Sequence, residues 1–219
     1  MFSSIKHAFS EGGWPMWPIG ALLVICWAIA IERIIYLWTS RVDKRYILSQ
    51  LKSKIMSGNI QGAITLLSAT PSPLARILRA GLVKFNRPLE EVQAAMDETA
   101  LTELPKIEAR TGYLAMLANV ATLVGLLGTI LGMIKSFAGA SDTSISADVS
   151  KAKIIGGIAE AMNCTAFGLI CAVPALLFFA ALNGWTQQIL DTINEVSVQV
   201  MNMVVSHRKA VTHSVQETE

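Results

Sequence analysis

The sequence predicts an all-α membrane protein with three transmembrane helices, two of them extended into a cytoplasmic helical bundle. Three observations predict it. Of 219 residues, 53% are hydrophobic and only 16% charged, against about 25% charged in soluble domains. Uncharged runs cover residues 14–31, 113–134 and 162–185, each close to the roughly 20 residues a helix needs to cross a bilayer core. The charges collect elsewhere: residues 39–112 hold 18 of them, a density typical of an aqueous segment.

The same counts exclude several classes. A net charge of +2 with no clustered basic stripe gives no footprint for nucleic acid. Cys26, Cys164 and Cys171 each lie in an apolar run, without the spacing of a disulfide framework or a zinc site, and read as small core residues. No nucleophile, base and orienting-acid set, no metal cluster and no phosphate loop appears, so no catalytic residue, metal or cofactor is expected.

Taken in order, residues 1–13 form an external segment and residues 14–38 the first span. Its apolar run is too long for a signal peptide and no A-x-A-like site follows, so it is expected to stay attached. Glu32 and Arg33 near its exit read as a local ion pair or interface anchor. Trp14, Trp17, Trp38, Tyr113 and Trp185 lie near span ends, where aromatic belts form. Residues 39–112 form the large loop. Arg41, Lys44, Arg45, Lys52 and Lys54 crowd its start and Lys106 and Arg110 its end, whereas 138–153 holds only Lys151 and Lys153. The positive-inside rule puts the loop in the cytoplasm, the N-terminus outside and the C-terminus inside.

Within the loop, Leu48, Leu51, Ile55, Ile60, Ile64 and Leu67 recur at helical spacing until Pro71 and Pro73 break the run. Pro88 suits a helix start, with Glu90 and Glu91 where the dipole favours acids. A helix continuing from Leu89 through Ser136 would be about 72 Å long, with Pro105 kinking it or ending a segment. The second span covers 113–137, a short external connection 138–153 and the third span 154–185. An extension over 186–219 carries Ile189, Ile193, Val196, Val200 and Val204 at near-helical spacing. From Ser206 the tail is polar and expected to be disordered. His7, His207 and His213 are expected to be solvated.

Inside the second span, Thr122, Gly125, Thr129 and Gly132 follow at steps of three and four, with Gly128 beside them; Ala161, Thr165, Gly168 and Ala172 form a matching stripe in the third. Two readings stand. The small residues let helices pack closely, with hydroxyls bonding across or back to their own carbonyls, or the hydroxyls line a polar pathway. Glu160, about 9 Å inside a helix starting at Ile154, is an acid at costly depth unless protonated, paired or wet, or it lies in the headgroups of a helix that starts later. Asn163 shares its face, and Lys135 reads as an interface anchor.

These residues also carry a resemblance. The run from Val124 through Gly125, Leu126, Leu127, Gly128, Thr129, Ile130, Leu131 and Gly132 to Met133 and Ile134, with Phe137, resembles the GLLGTV-x-GMI-xx-F signature of the MotA/TolQ/ExbB proton channel family. The stretch Ala159, Glu160, Ala161, then Thr165 to Leu169, then Ala172 to Ala175 with Pro174, resembles that family's second signature, and the first span ending in Glu32 and Arg33 resembles its opening segment. One departure is Thr122, where many members carry proline. Three spans with this loop look like the ExbB and TolQ branch.

The resemblance implies a homopentamer in the bacterial inner membrane whose second and third spans line a pore around the helices of a two-copy, single-span partner like ExbD or TolR. Proton flow would move the partner relative to the ring and so power transport or envelope work. Thr129 and Thr165 would face the partner's membrane aspartate, Glu160 would be the acid near the pore mouth, Thr122 a further pathway hydroxyl, and Gly125, Gly128, Gly132, Gly168 and Pro174 helix-packing positions. Threonine does not titrate near neutral pH, so the mid-membrane carboxylate would come from the partner. The competing class is a non-conducting multi-span scaffold.

Overall fold

The computed structural model of the protein describes residues 13–40, 43–141 and 146–216, with side chains described as far as Arg208. His7, Arg41, nearly all of the external segment 1–13 and the His213 side chain lie outside the described residues. Every regular element among the described residues is an α-helix: α1 (Met16–Ser40), α2 (Lys44–Met56), α3 (Ile60–Ala69), α4 (Pro73–Val83), α5 (Leu89–Glu108), α6 (Thr111–Ser141) and α7 (Ala147–Gln216). Three of them, α1, α6 and α7, are long and apolar enough to cross a membrane. The chain divides into two compact units, Met1–Arg33 with Arg110–Leu182 and Ile34–Ala109 with Asn183–Glu219.

In the first unit, α6 buries Leu114, Ala118, Ala121, Gly125, Gly128, Gly132, Ser136 and Gly139 along one face. That face is nearly all small residues, so a neighbouring backbone can come into contact with it. The neighbour is α7, which buries Ala161, Cys164, Cys171, Ala172 and Ala175. Helix α1 lays Ile19 on Ala121 and Cys171 and sets the Trp27 ring edge-on to Phe178, 5.2 Å away. At its other end Glu32 bonds Arg110 at 3.0 Å and lies 4.0 Å from Arg33. Of the two readings of Glu32 and Arg33, the local ion pair is the one this geometry favours, since Arg33 is 3% exposed and not at an aqueous surface.

In the second unit, Asp43 caps α2 by accepting from the backbone N–H groups of Arg45 and Tyr46, and Asn59 caps α3 through Gly62. Pro71 and Pro73 stop the chain between α3 and α4, where Ser72 accepts from Ala75 N–H and Pro73 takes the first helical position, needing no donor. The buried stripe is Ile47, Leu51, Ile55, Ala63 and Leu67, with Leu48, Ile60 and Ile64 only half-buried. Helix α7 contributes Ile193, Val196, Val200 and Val204. Glu103, with a side chain 6% exposed, bonds Arg76 and Lys106 at 2.7 Å each.

Three expectations about continuity change. The rod expected over 89–136 is broken at Ala109 and Arg110, where Arg110 takes a positive φ of 63°. Pro105 lies inside α5 and the helix ends one turn later, its last turn closed by Ala109 N–H donating to the Pro105 carbonyl. The connection expected over 138–153 is mostly helix: α6 runs to Ser141 and α7 starts at Ala147, tied by Ser150 Oγ donating to Gly139 O at 2.8 Å. The tail expected to be disordered from Ser206 is helical to Gln216, because no proline or glycine interrupts it and Arg208 donates to the carbonyls of Phe85 and Arg87.

Candidate functional site: the hydroxyl seam of α6 and α7

Small residues set the distance between α6 and α7. A Cβ at Gly125 would stand 3.1 Å from Cys164 O, one at Gly168 2.9 Å from Ala121 O, and one at Gly132 2.7 Å from Gly157 O. At Gly128 it would overlap Cys164. The four glycines read from the stripe therefore all lie in one seam, Gly125, Gly132 and Gly168 against backbone and Gly128 against the Cys164 side chain. Pro174 lies further along α7, half-buried, inside a helix assigned without interruption despite the donor that proline lacks.

Midway along the seam Thr129 and Thr165 meet, their hydroxyls in direct hydrogen-bond contact. Thr129 Oγ1 also reaches Gly125 O at 3.2 Å and Ala161 O at 3.4 Å; Thr165 Oγ1 reaches the same two carbonyls at 3.4 and 3.5 Å. Each hydroxyl has one proton to donate, so the pair satisfies only two of these bonds at a time. Either hydroxyl can therefore turn to a new acceptor at the cost of one bond, while both carbonyls keep their helical N–H partners. Thr122 is not part of this cluster. It is exposed, one position off the buried face, and donates back to Ala118 O at 3.0 Å.

Toward the α6–α7 connection, Ser136 Oγ donates to Gly132 O and across to Ile154 O, both at 3.1 Å. Beside it Lys135 Nζ donates to both oxygens of Glu160, at 2.6 and 2.8 Å. Lys135 rather than Asn163 is thus the partner of that acid, a pairing across 25 residues of chain that helical periodicity within one span cannot reveal. Because α7 starts at Ala147, Glu160 lies about 20 Å along the helix, and its side chain is 13% exposed. No residue of 113–134 or 162–185 carries a charge, and no group of three metal-binding side chains forms among the described residues.

The chain is similar to known proteins. The MotA/TolQ/ExbB proton channel family matches residues 69–195, which include both helices of the seam through its whole hydroxyl section. The ExbB-like 3 protein of Synechocystis sp. is 32% identical over 76% of this chain and 79% of its own length. The Tol-Pal system protein TolQ of Pseudomonas aeruginosa is 30% identical over 54% of this chain and 55% of its own length. The biopolymer transport protein ExbB of Salmonella typhimurium is 34% identical over 41% of this chain, which spans 36% of that relative. With three membrane-length helices and these relatives, the chain belongs to the MotA/TolQ/ExbB proton channel family as a multi-pass, ExbB/TolQ-like energy-transducing membrane protein.

Proposed function

We propose that the protein is the pore-forming subunit of a proton-motive-force-driven inner-membrane motor, coupling proton flow to movement of an ExbD/TolR-like partner. The observation that carries this reading is the Thr129–Thr165 pair: two reorientable hydroxyls within the charge-free stretches 113–134 and 162–185, which hold no titratable carboxylate or amine. Threonine can hold a carboxylate or water by hydrogen bonding but cannot change charge. The proton-carrying acid then belongs to the partner. Ionised, it is drawn to the hydroxyls; protonated, it is released to a less polar surface, and that difference drives the cycle. Each proton supplies about 2.3 kcal/mol per 100 mV and about 1.4 kcal/mol per pH unit.

The subunit acts as a homo-oligomer, a pentamer by family resemblance, with its N-terminus periplasmic and its C-terminus cytoplasmic. An uncovered stripe on α6, Tyr113, Met116, Val120, Leu123, Leu127, Ile130, Ile134 and Phe137, alternates steps of three and four, the spacing of a helix–helix seam. That favours a neighbouring subunit there. The scaffold reading also has an observation in its favour, since all three threonines reach carbonyls one turn back on their own helices.

The experiment that separates the two readings is Thr129→Val and Thr165→Val in the complex purified with its partner and reconstituted in vesicles holding a pH dye. Lost hydroxyls are expected to cost about 0.6 kcal/mol each in stability, leaving assembly intact, while proton flux falls to background. Undiminished flux in both variants reduces the pair to packing.

A further inference from the structure

Glu160 is enclosed by three segments of the first unit. From α6, Lys135 Nζ binds both of its oxygens, at 2.6 and 2.8 Å. Ahead of α1, Gly13 lies so close that a Cβ there would overlap the carboxylate, and its φ of +68° also favours glycine. Its own helix covers the rest, leaving the side chain 13% exposed, while Lys135 is 56% exposed. Among the described residues Lys135 is the one charged group that these segments bring against it. The ammonium thus sits on the open side of the carboxylate. Glu160 is five residues before Thr165 and Lys135 six after Thr129, which places the ion pair about 8 Å along the helices from the hydroxyls. The backbones between are in contact at Gly132 and Gly157, with no room for another side chain.

We propose that Lys135 is a positioning residue that latches Glu160: seated, its ammonium occupies the carboxylate and repels arriving cations, and the pair must open before a proton from the aqueous phase reaches the acid. The proposal rests on the proton-channel reading and adds to it the control of access. An occupied carboxylate offers no free lone pair toward water on that side, and a like charge at its mouth disfavours a second cation. Lys135 has the long flexible stem and the exposure to swing out, and Glu160, packed under Gly13, does not. The moving part is therefore the lysine.

The test uses the complex purified from its own membranes, wild type and Lys135→Gln, Lys135→Arg and Glu160→Gln, in two measurements. Treatment with a water-soluble carbodiimide activates a carboxyl, and a contacting amine displaces the activating group to leave an amide and a urea. In wild type this should join Lys135 to Glu160, detected as a cross-linked peptide by mass spectrometry, and proton flux into vesicles should fall severalfold. Lys135→Gln should lack the cross-link, carry an acylurea adduct on Glu160 and leak protons severalfold faster than wild type. Lys135→Arg should restore the low leak, and Glu160→Gln should show neither cross-link nor carbodiimide sensitivity. Flux in Lys135→Gln equal to wild type, or no cross-link in wild type, overturns the latch while leaving the channel standing. Absent flux in the wild-type complex overturns the channel reading and the latch with it.

Discussion

Replacing Gly128 by alanine tests how firmly the seam is closed. The new methyl would overlap the Cβ of Cys164 and stand 2.7 Å from its Sγ, and Cys164 is fully buried. The helices cannot simply part, because Gly125 on one side and Gly132 on the other already hold the two backbones at contact. Overpacking of this kind costs about 1–3 kcal/mol, offset by up to about 1 kcal/mol of helix propensity gained when glycine becomes alanine. Cys164→Gly removes both clashing atoms at the cost of a small cavity and of that propensity. The propensity terms cancel in a double-mutant cycle, so Gly128→Ala/Cys164→Gly should be more stable than the sum of the single changes by about 1–3 kcal/mol. Reversible unfolding of the four proteins in bicelles measures it. A coupling below about 0.5 kcal/mol, the level of additive sites, would refute the claim that Gly128 is closed against the Cys164 side chain.

Two further predictions concern the second unit. At Glu103, burial pushes the carboxyl upward, but the hydrogen bonds and charges of Lys106 and Arg76 together outweigh it and hold it below the ordinary range. A lowered folded-state value contributes stability above the unfolded value near pH 4.5 and loses it as pH falls through the folded value. Glu103→Gln should therefore cost about 1–2 kcal/mol at neutral pH, the partners being half-exposed and able to hydrate. The difference from wild type should vanish on acidification below the carboxylate range; a gap that persists there contradicts the assignment. Asp43→Ala removes the acceptor for two N–H groups of α2 and should cost about 1 kcal/mol. Hydrogen exchange should quicken at Arg45 and Tyr46, and Asp43→Asn should largely spare them.

What was legible in the sequence followed from local rules. Uncharged length marks α1, α6 and α7 as membrane helices, Pro71 and Pro73 mark the gap between α3 and α4, and the step of three and four puts Gly125, Gly128 and Gly132 in one line. Less legible was whatever depends on a distant residue. Lys135 looks like an anchor until α7 brings Glu160 to it, and for Arg33 the choice between ion pair and interface anchor is open until the fold buries it in the first unit. Thr122 shares the spacing of Thr129 and Gly125 but falls just off the buried arc, because a real helix advances by 3.6 residues per turn and a stripe three or four apart drifts. The ends of α6 and α7 run into the polar stretch 138–153, as far as Ser141 and back to Ala147, where Ser150 and Gly139 bond across the pair, a gain that composition does not display.

The close approach of Gly125 to Gly168 has a mechanical corollary. Two helices joined carbonyl to Cα over several turns cannot slide past one another without breaking many contacts at once, so this hairpin behaves as a single stiff lever. Thr129 and Thr165 therefore keep their register, and a shift of one helix along its axis carries the other with it.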